Sequence, residues 1–503
     1  MVRLAFRVCF CFGLIQGLMP LHQIQAQQGL NNLWTGGYAS WAPPPSGGVD
    51  MDFQSGALTI TTLSRTVDYQ RTVANISDAN GNLLFSTNGL IVADANGDTM
   101  FNGAGLNPGN YADNSPYGLV LAQGALILPR PDSPSEYYIL HMTVDNELVI
   151  NAEQLYLTTV DMSLGGGLGA VVNKNQVILS DDLNLGYLTA VRHANGRDWW
   201  AFCHKLNTNA YYRFIVTPSG VSLDGTQSIG MIRPADNGQA CFSPDGSKFA
   251  YYWGEQDLDI FDFDRCTGLF SNPVFIPIND YNGAGGVAFS SNGRYVYVSS
   301  FFDMYQFDTE AADVASSMVH IAVWDSTYSP SPPFATLFNI PQLAPDGKIY
   351  VSTDNTTLVL HVIHSPDSAG VACNIEQHGI DLTRYFGNSL PNHPNYHLGP
   401  VDGSVCDSLG INSGMPDLAA EGLRIQAFPN PSMGAFTLSY PSIGQVGVLE
   451  VRDLAGKLIL HDRLPPWSQV HQVQLVGASP GLYNCRISWG PRSVSTRIMV
   501  VEP

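Results

Sequence analysis

The chain has 503 residues, 45% hydrophobic and only 13% charged, which supplies enough apolar surface for several cores and excludes a disordered chain. Its 49 glycines and 32 prolines follow no collagen triplet; they punctuate short runs of Val, Ile, Tyr, Phe and Trp, the pattern of an all-β protein. A net charge of −20, spread without an acidic block, argues against nucleic acid or anionic membrane as a partner.

At the N-terminus, Arg3 and Arg7 precede an apolar stretch, Val8 to Met19, and then a polar HQIQA. This pattern predicts a signal peptide over 1–26, cleaved after Ala26. A membrane anchor is the rival reading, but 12 apolar residues fall short of the about 20 that span a bilayer. Cys9 and Cys11 lack the small preceding residue of a lipoprotein signal and are read as discarded. The expectation is an exported chain without a transmembrane anchor.

A repeat governs the middle of the chain. FSPDGSKFAYYW (242–253), FSSNGRYVYVSS (289–300) and LAPDGKIYVSTD (343–354) each join an apolar residue, a turn ending in Gly, and an aromatic or β-branched strand. Looser copies are SDANGNLLFST, RPDSPSEYYILH and RHANGRDWWAFC. The turns begin at 78, 132, 193, 243, 290 and 344, at intervals of 54, 61, 50, 47 and 54. A unit of about 50 residues holding four short strands is a β-propeller blade. Residues 27–406 then hold seven blades, the seventh closed by strands from both ends, with six or eight as alternatives. A β-sandwich array, the rival fold, would not repeat one turn six times. No helix competes, and Ala311 to Ser317 reads as a loop decoration.

Within this region the candidate chemistry is sparse. There is no G-x-S-x-G elbow, H-E-x-x-H, P-loop, or G-x-G-x-x-G after a strand. DANGD places Asp94, Asn96 and Asp98 at alternate positions, as a calcium loop does, but its Gly falls fourth rather than sixth, and a hairpin explains it as well. His361 and His364 are three apart, on opposite faces of a strand, and Pro394 breaks any helix that would align His393 with His397. Trp199–Trp200, Tyr211–Tyr212 and Tyr251–Trp253 are read as packing between blades rather than sugar platforms. Six cysteines follow the leader, none in a C-x-x-C pair; export permits disulfides, while buried free thiols are the alternative. Cys373 and Cys406 flank the stretch where the repeat fades and the ring must close, so they are the expected pair.

After a small polar linker (407–422), residues 423–503 alternate apolar and polar between turns, as a compact antiparallel sandwich does. This tail carries +3 against −23 on the remainder, which marks a separate module.

Two resemblances follow. NISDANGNLLFSTNGLIVADANGDTMFNG, LTAVRHANGRDWWAF, FDFDRCTG and LPNHPNYHLG resemble secreted bacterial WD40-like propellers, a group that implies the fold and leaves function open. The tail resembles the type A C-terminal sorting domain of the type IX (Por) secretion system. The motif residues are Pro429, Asn430, Pro431 and Gly434 in FPNPSMGAFTL; Asp453, Gly456 and Lys457 in DLAGK; and Gly481 and Tyr483 in PGLYNCRI. Cys485 departs from the usual pattern, and a generic Ig-like binding domain is the alternative. That resemblance implies the translocon and its C-terminal signal peptidase as partners, with delivery to the outer-membrane surface or beyond. For the propeller, the expectation is a non-enzymatic module that binds a protein or glycan, with no cofactor unless calcium. A channel-centred hydrolase or lyase and a structural envelope component are the alternatives.

Overall fold

The computed structural model describes residues 29–407, except 235–237, 256, 279, 281–283, 331 and 389, and residues 425–501, except 441–444, 454–455, 469, 476 and 491. The predicted signal peptide (1–26), linker residues 408–422 and terminal Glu502 and Pro503 lie outside the described residues. Two units divide between Asp407 and Ser408.

Each of the six repeat turns joins the first two strands of a four-stranded antiparallel sheet. These four-stranded units are blades 2 to 7, covering 74–104, 125–183, 189–233, 239–276, 286–323 and 338–386; blades 2 and 3 are joined at their outer strands into one eight-stranded sheet by a parallel pair, Phe101 with Ala170, and residues 33–63 form a three-stranded blade 1. The turn at Ser243 shows why the motif recurs. Gly246 donates its N–H to the Ser243 carbonyl at 2.8 Å, while Asp245 Oδ1 accepts the Ser243 hydroxyl at 2.6 Å and the Ser247 N–H at 3.0 Å. Gly246 has φ 73°, and a Cβ there would lie 2.7 Å from Val191 of the next blade, so only glycine fits.

Aromatic side chains fill the spaces between blades. Phe202 and Tyr211 of blade 4 pack with Phe249 and Phe261 of blade 5. Tyr252 and Leu258 meet Val287 and Phe307 of blade 6, and Tyr297 and Met304 meet Ile349 and Ile363 of blade 7. Trp34, Val49 and Met51 of blade 1 pack on Tyr350, Leu360 and Phe386 of blade 7, and this contact closes the ring. The aromatic pairs read as inter-blade packing are all buried.

Two expectations are corrected here. Among the described residues, blade 1 receives no C-terminal strand. Instead, residues 390–400 run along the channel beside blade 2, where the Asn392 N–H reaches the Val73 carbonyl at 2.9 Å and His393 Nε2 the Asn75 carbonyl at 2.8 Å. Pro391, Pro394 and Pro400 lack the N–H groups that a ladder needs, so this segment becomes a strap. The second correction concerns the disulfide: Cys406 pairs with Cys266, not Cys373. Cys373 is buried as a free thiol in the 3₁₀ turn Gly370–Cys373, packed with Tyr297 and Ile363. The strap carries the chain away from it toward blade 5, where Arg265 donates to the Gly399 carbonyl at 2.5 Å and the two bonded cysteines lie 5.5 Å apart at Cα.

Three buried histidines predict acid lability. His141 sits between Asn107 Oδ1 (2.9 Å) and the Thr158 hydroxyl (2.8 Å). Burial lowers its pKa, and those of His204 and His361, to about 3. Each is neutral when folded but protonates near pH 6.5 once unfolded, so the unfolded chain binds more protons and stability falls as pH drops from about 6.5 towards 3. Urea midpoints measured across that window should decline steadily, and less steeply in His141→Gln; flat midpoints would contradict the burial argument.

Candidate functional site

The inner strands of the blades surround a central channel, and three amides close it. Gln123 bonds Ala240 twice, Nε2 to its carbonyl (2.9 Å) and Oε1 from its N–H (2.8 Å), and donates to Asn392 Oδ1 at 3.2 Å. Asn392 Nδ2 donates to the Ala125 and Leu188 carbonyls, both at 2.9 Å. Gln239 donates to the Pro341 carbonyl (2.9 Å) and accepts the Val287 N–H (3.0 Å). These bonds link blades 3 to 7 through the strap and form a floor whose amides are committed to the fold.

Above that floor, on the side of the repeat turns, a funnel of about 1030 Å³ opens. Phe53, Phe242, Leu343 and Leu398 contribute apolar wall, Asn32 and Gln342 polar wall, and no lining residue carries a charged side chain other than histidine. Cys241 lies in the wall with its Sγ on the Val287 carbonyl at 3.3 Å, and burial pushes its thiol up to about 12, which removes it as a nucleophile. His393 is held neutral, its pKa lowered by burial to about 4; His397 pairs with Asn31 Oδ1 at 2.9 Å and is shifted the same way, by burial and then by Arg192. Such a site offers shape, apolar wall and neutral hydrogen-bonding groups.

The remaining predicted residues fall in several places. Asp94, Asn96 and Asp98 share one hairpin, where Asp94 Oδ1 accepts the N–H groups of Asn96 (2.8 Å) and Asp98 (3.2 Å), and Asp98 Oδ1 accepts the Thr66 hydroxyl at 2.7 Å. Two turn N–H groups and the Thr66 hydroxyl thus use two of the oxygens a cation would need. Among the described residues no three His, Cys, Asp or Glu side chains gather as a metal would require. His361 is buried on the Thr336 carbonyl (3.0 Å), whereas His364 faces Glu376 at 2.7 Å, so the two are not brought together. The hub amides were missed from sequence because an isolated Gln or Asn carries no motif; the three prolines of 390–400 were the available signal.

In the C-terminal unit, Gln426–Phe428, Ala435–Ser439 and Val470–Gln474 form one sheet, and Leu458–Leu464, Gly447–Asp453, Gly481–Trp489 and Arg492–Val500 the other. Leu438, Leu449, Val451, Ile487 and Trp489 share its core with Cys485, which serves as a small apolar side chain. The motif residues pin turns. Asn430, between Pro429 and Pro431, donates to the Arg497 carbonyl and accepts the Met499 N–H, both at 2.9 Å, and Ser432 pairs with Val500, so this segment clamps the last strand. Gly434 follows with φ 91°. Asp453 Oδ1 accepts the Lys457 N–H at 2.9 Å, and Gly456 donates to the Asp453 carbonyl at 3.0 Å. Gly481 begins its strand, and the Tyr483 hydroxyl donates to the Ser479 carbonyl at 2.7 Å.

Residues 426–501 match the secretion system C-terminal sorting domain. No curated protein matches the chain. Similar solved structures include a protein from Lactobacillus plantarum (14% identity, TM-score 0.44, covering 72% of this chain and 99% of that one). A putative 6-phosphogluconolactonase from Bacteroides fragilis is 13% identical, with TM-score 0.46 and coverage of 72% and 97%. The Dos1 propeller is 15% identical, with TM-score 0.36 and coverage of 65% and 73%. The propeller assignment itself rests on the strand order and shared inter-blade cores.

Proposed function

We propose that this chain, whose C-terminal unit is a secretion system sorting domain, is a surface-delivered propeller that binds an uncharged partner, a glycan or a protein segment, in its funnel and performs no catalysis. The sorting domain implies export to the outer-membrane surface or the extracellular space, and contact with the type IX machinery. The observation that carries the binding reading is the funnel, whose lining among the described residues includes no carboxylate, lysine or arginine, with its floor amides consumed by structural bonds and its thiol unreactive.

The purified full chain should retain uncharged glycans or peptides, and Leu398→Asp, which places a charge in the funnel wall, should weaken retention by roughly tenfold. Turnover of glycan, ester or peptide substrates would overturn the reading. Delivery is tested separately. Truncation after Gly422 should leave a folded propeller in the periplasm, and fusion of 407–503 to another exported protein should carry it to the surface in a host with the translocon. Normal surface display of the truncated chain would refute that assignment.

A further inference from the structure

The two faces of the propeller differ in what their polar groups are doing. Antiparallel order puts the repeat turns, and the funnel, on one face; the turns between second and third strands, and the loops between blades, lie on the other. Among the described residues the propeller exposes seven large aromatic side chains, and five of them (Trp41, Tyr117, Phe302, Tyr328 and Phe334) sit on loops of that second face.

There a separate pocket of about 410 Å³ is lined by Tyr38, Gln70, Phe334, Thr356, Asn355 and Asn388, among others, and by no charged residue. Its wall is held rigidly. Asn388 donates to the Asp354 carbonyl, its own carbonyl accepts Asn339 Nδ2 and the Ser352 hydroxyl at 2.8 Å each, and Asn355 Nδ2 donates to the Ala335 carbonyl at 3.3 Å. By contrast, the Tyr38 and Thr356 hydroxyls and the Gln70 amide, all half-buried, make no hydrogen bond to the described residues. Half-buried at the pocket and reachable by solvent, these two hydroxyls and the amide are available to a ligand that displaces their water.

We propose that this pocket binds the terminal unit of a neutral glycan. Sugar hydroxyls both donate and accept, which matches two hydroxyls and an amide; the apolar C–H face of a pyranose matches the Phe334 ring, 40% exposed at the rim. A volume in the range of small-ligand sites suits one or two sugar units. Trp41 and Tyr117, stacked at 5.8 Å and about half exposed, offer a second aromatic surface on the same face. The net charge of −20 disfavours acidic polysaccharides, and nothing in the pocket offsets it. This site is distinct from the funnel and goes beyond the function proposed above.

The test uses the full chain and uncharged oligosaccharides derived from dextran, mannan and chitin, with polygalacturonate oligomers for comparison, in calorimetry and saturation-transfer NMR. At least one uncharged probe should bind, the acidic one should not, and Phe334→Ala and Gln70→Ala should each weaken binding by about tenfold or more. Phe101→Ala, at a still more exposed aromatic on an outer strand, should leave binding unchanged. Absence of binding by every uncharged probe would overturn the proposal. So would binding that Leu398→Asp abolishes while Phe334→Ala leaves it intact, which would place the sugar in the funnel, or a preference for uncharged peptides over every saccharide.

Discussion

Removing the Cys266–Cys406 bond should be the largest single loss of stability in the propeller, up to about 5 kcal/mol on the chain-entropy model. The bond closes 140 residues, from the outer turn of blade 5 through blades 6 and 7 to beyond the strap, and so removes much of the freedom of the unfolded chain. In the native state it anchors the strap at its far end, after Asn392 has tied the strap to the hub. Urea unfolding of a Cys266→Ala/Cys406→Ala double variant against the oxidised protein measures the effect. Non-reducing peptide maps should recover Cys266 linked to Cys406 and Cys373 as a free thiol. A Cys373–Cys406 peptide, or a double variant as stable as the parent, would contradict the assignment.

Asp259→Ala should cost about 3–5 kcal/mol, because it breaks a fully buried ion pair in the interface between blades 4 and 5. Arg233 Nη2 lies 2.7 Å from Asp259 Oδ2, and both side chains have 0% exposure. The same oxygen accepts the Met231 N–H at 3.1 Å, and the guanidinium stands 5.0 Å over the Tyr251 ring. Removing the carboxylate takes from the arginine this buried contact and from the Met231 N–H its acceptor. The paired change Arg233→Met/Asp259→Leu should lose far less, since it removes both desolvation penalties together. Chemical denaturation of the three proteins distinguishes a buried pair from a surface one: a loss in Asp259→Ala of under about 1 kcal/mol is what an exposed pair would show.

The blades were legible because the repeat turn is local chemistry. A glycine with positive φ at the end of five of the six turns, replaced at the sixth by Asp132 at φ 58°, and a short polar side chain bonding the turn's own backbone, as at Ser243–Gly246 and Asp78–Gly81, act within a few residues, and so the turns could be read in order before any contact was known. The sorting unit was legible for the same reason: Asn430 and Asp453 hold turns a few residues long, although the strand that Asn430 clamps lies 67 residues away. Side-chain alternation also foretold that His361 and His364 would part. What only the tertiary structure decided are the contacts made when the ring closes. Gln123 and Asn392 meet across 269 residues, and neither has a neighbour in sequence that announces it. Cys406 takes Cys266 because the proline-rich strap, unable to pair as a strand, leads the chain across the channel; proximity in sequence had favoured Cys373. The polar groups of Tyr38, Gln70 and Thr356 come from a strand end of blade 1, the connection to blade 2 and a turn of blade 7, and only the closed propeller sets them around one cavity.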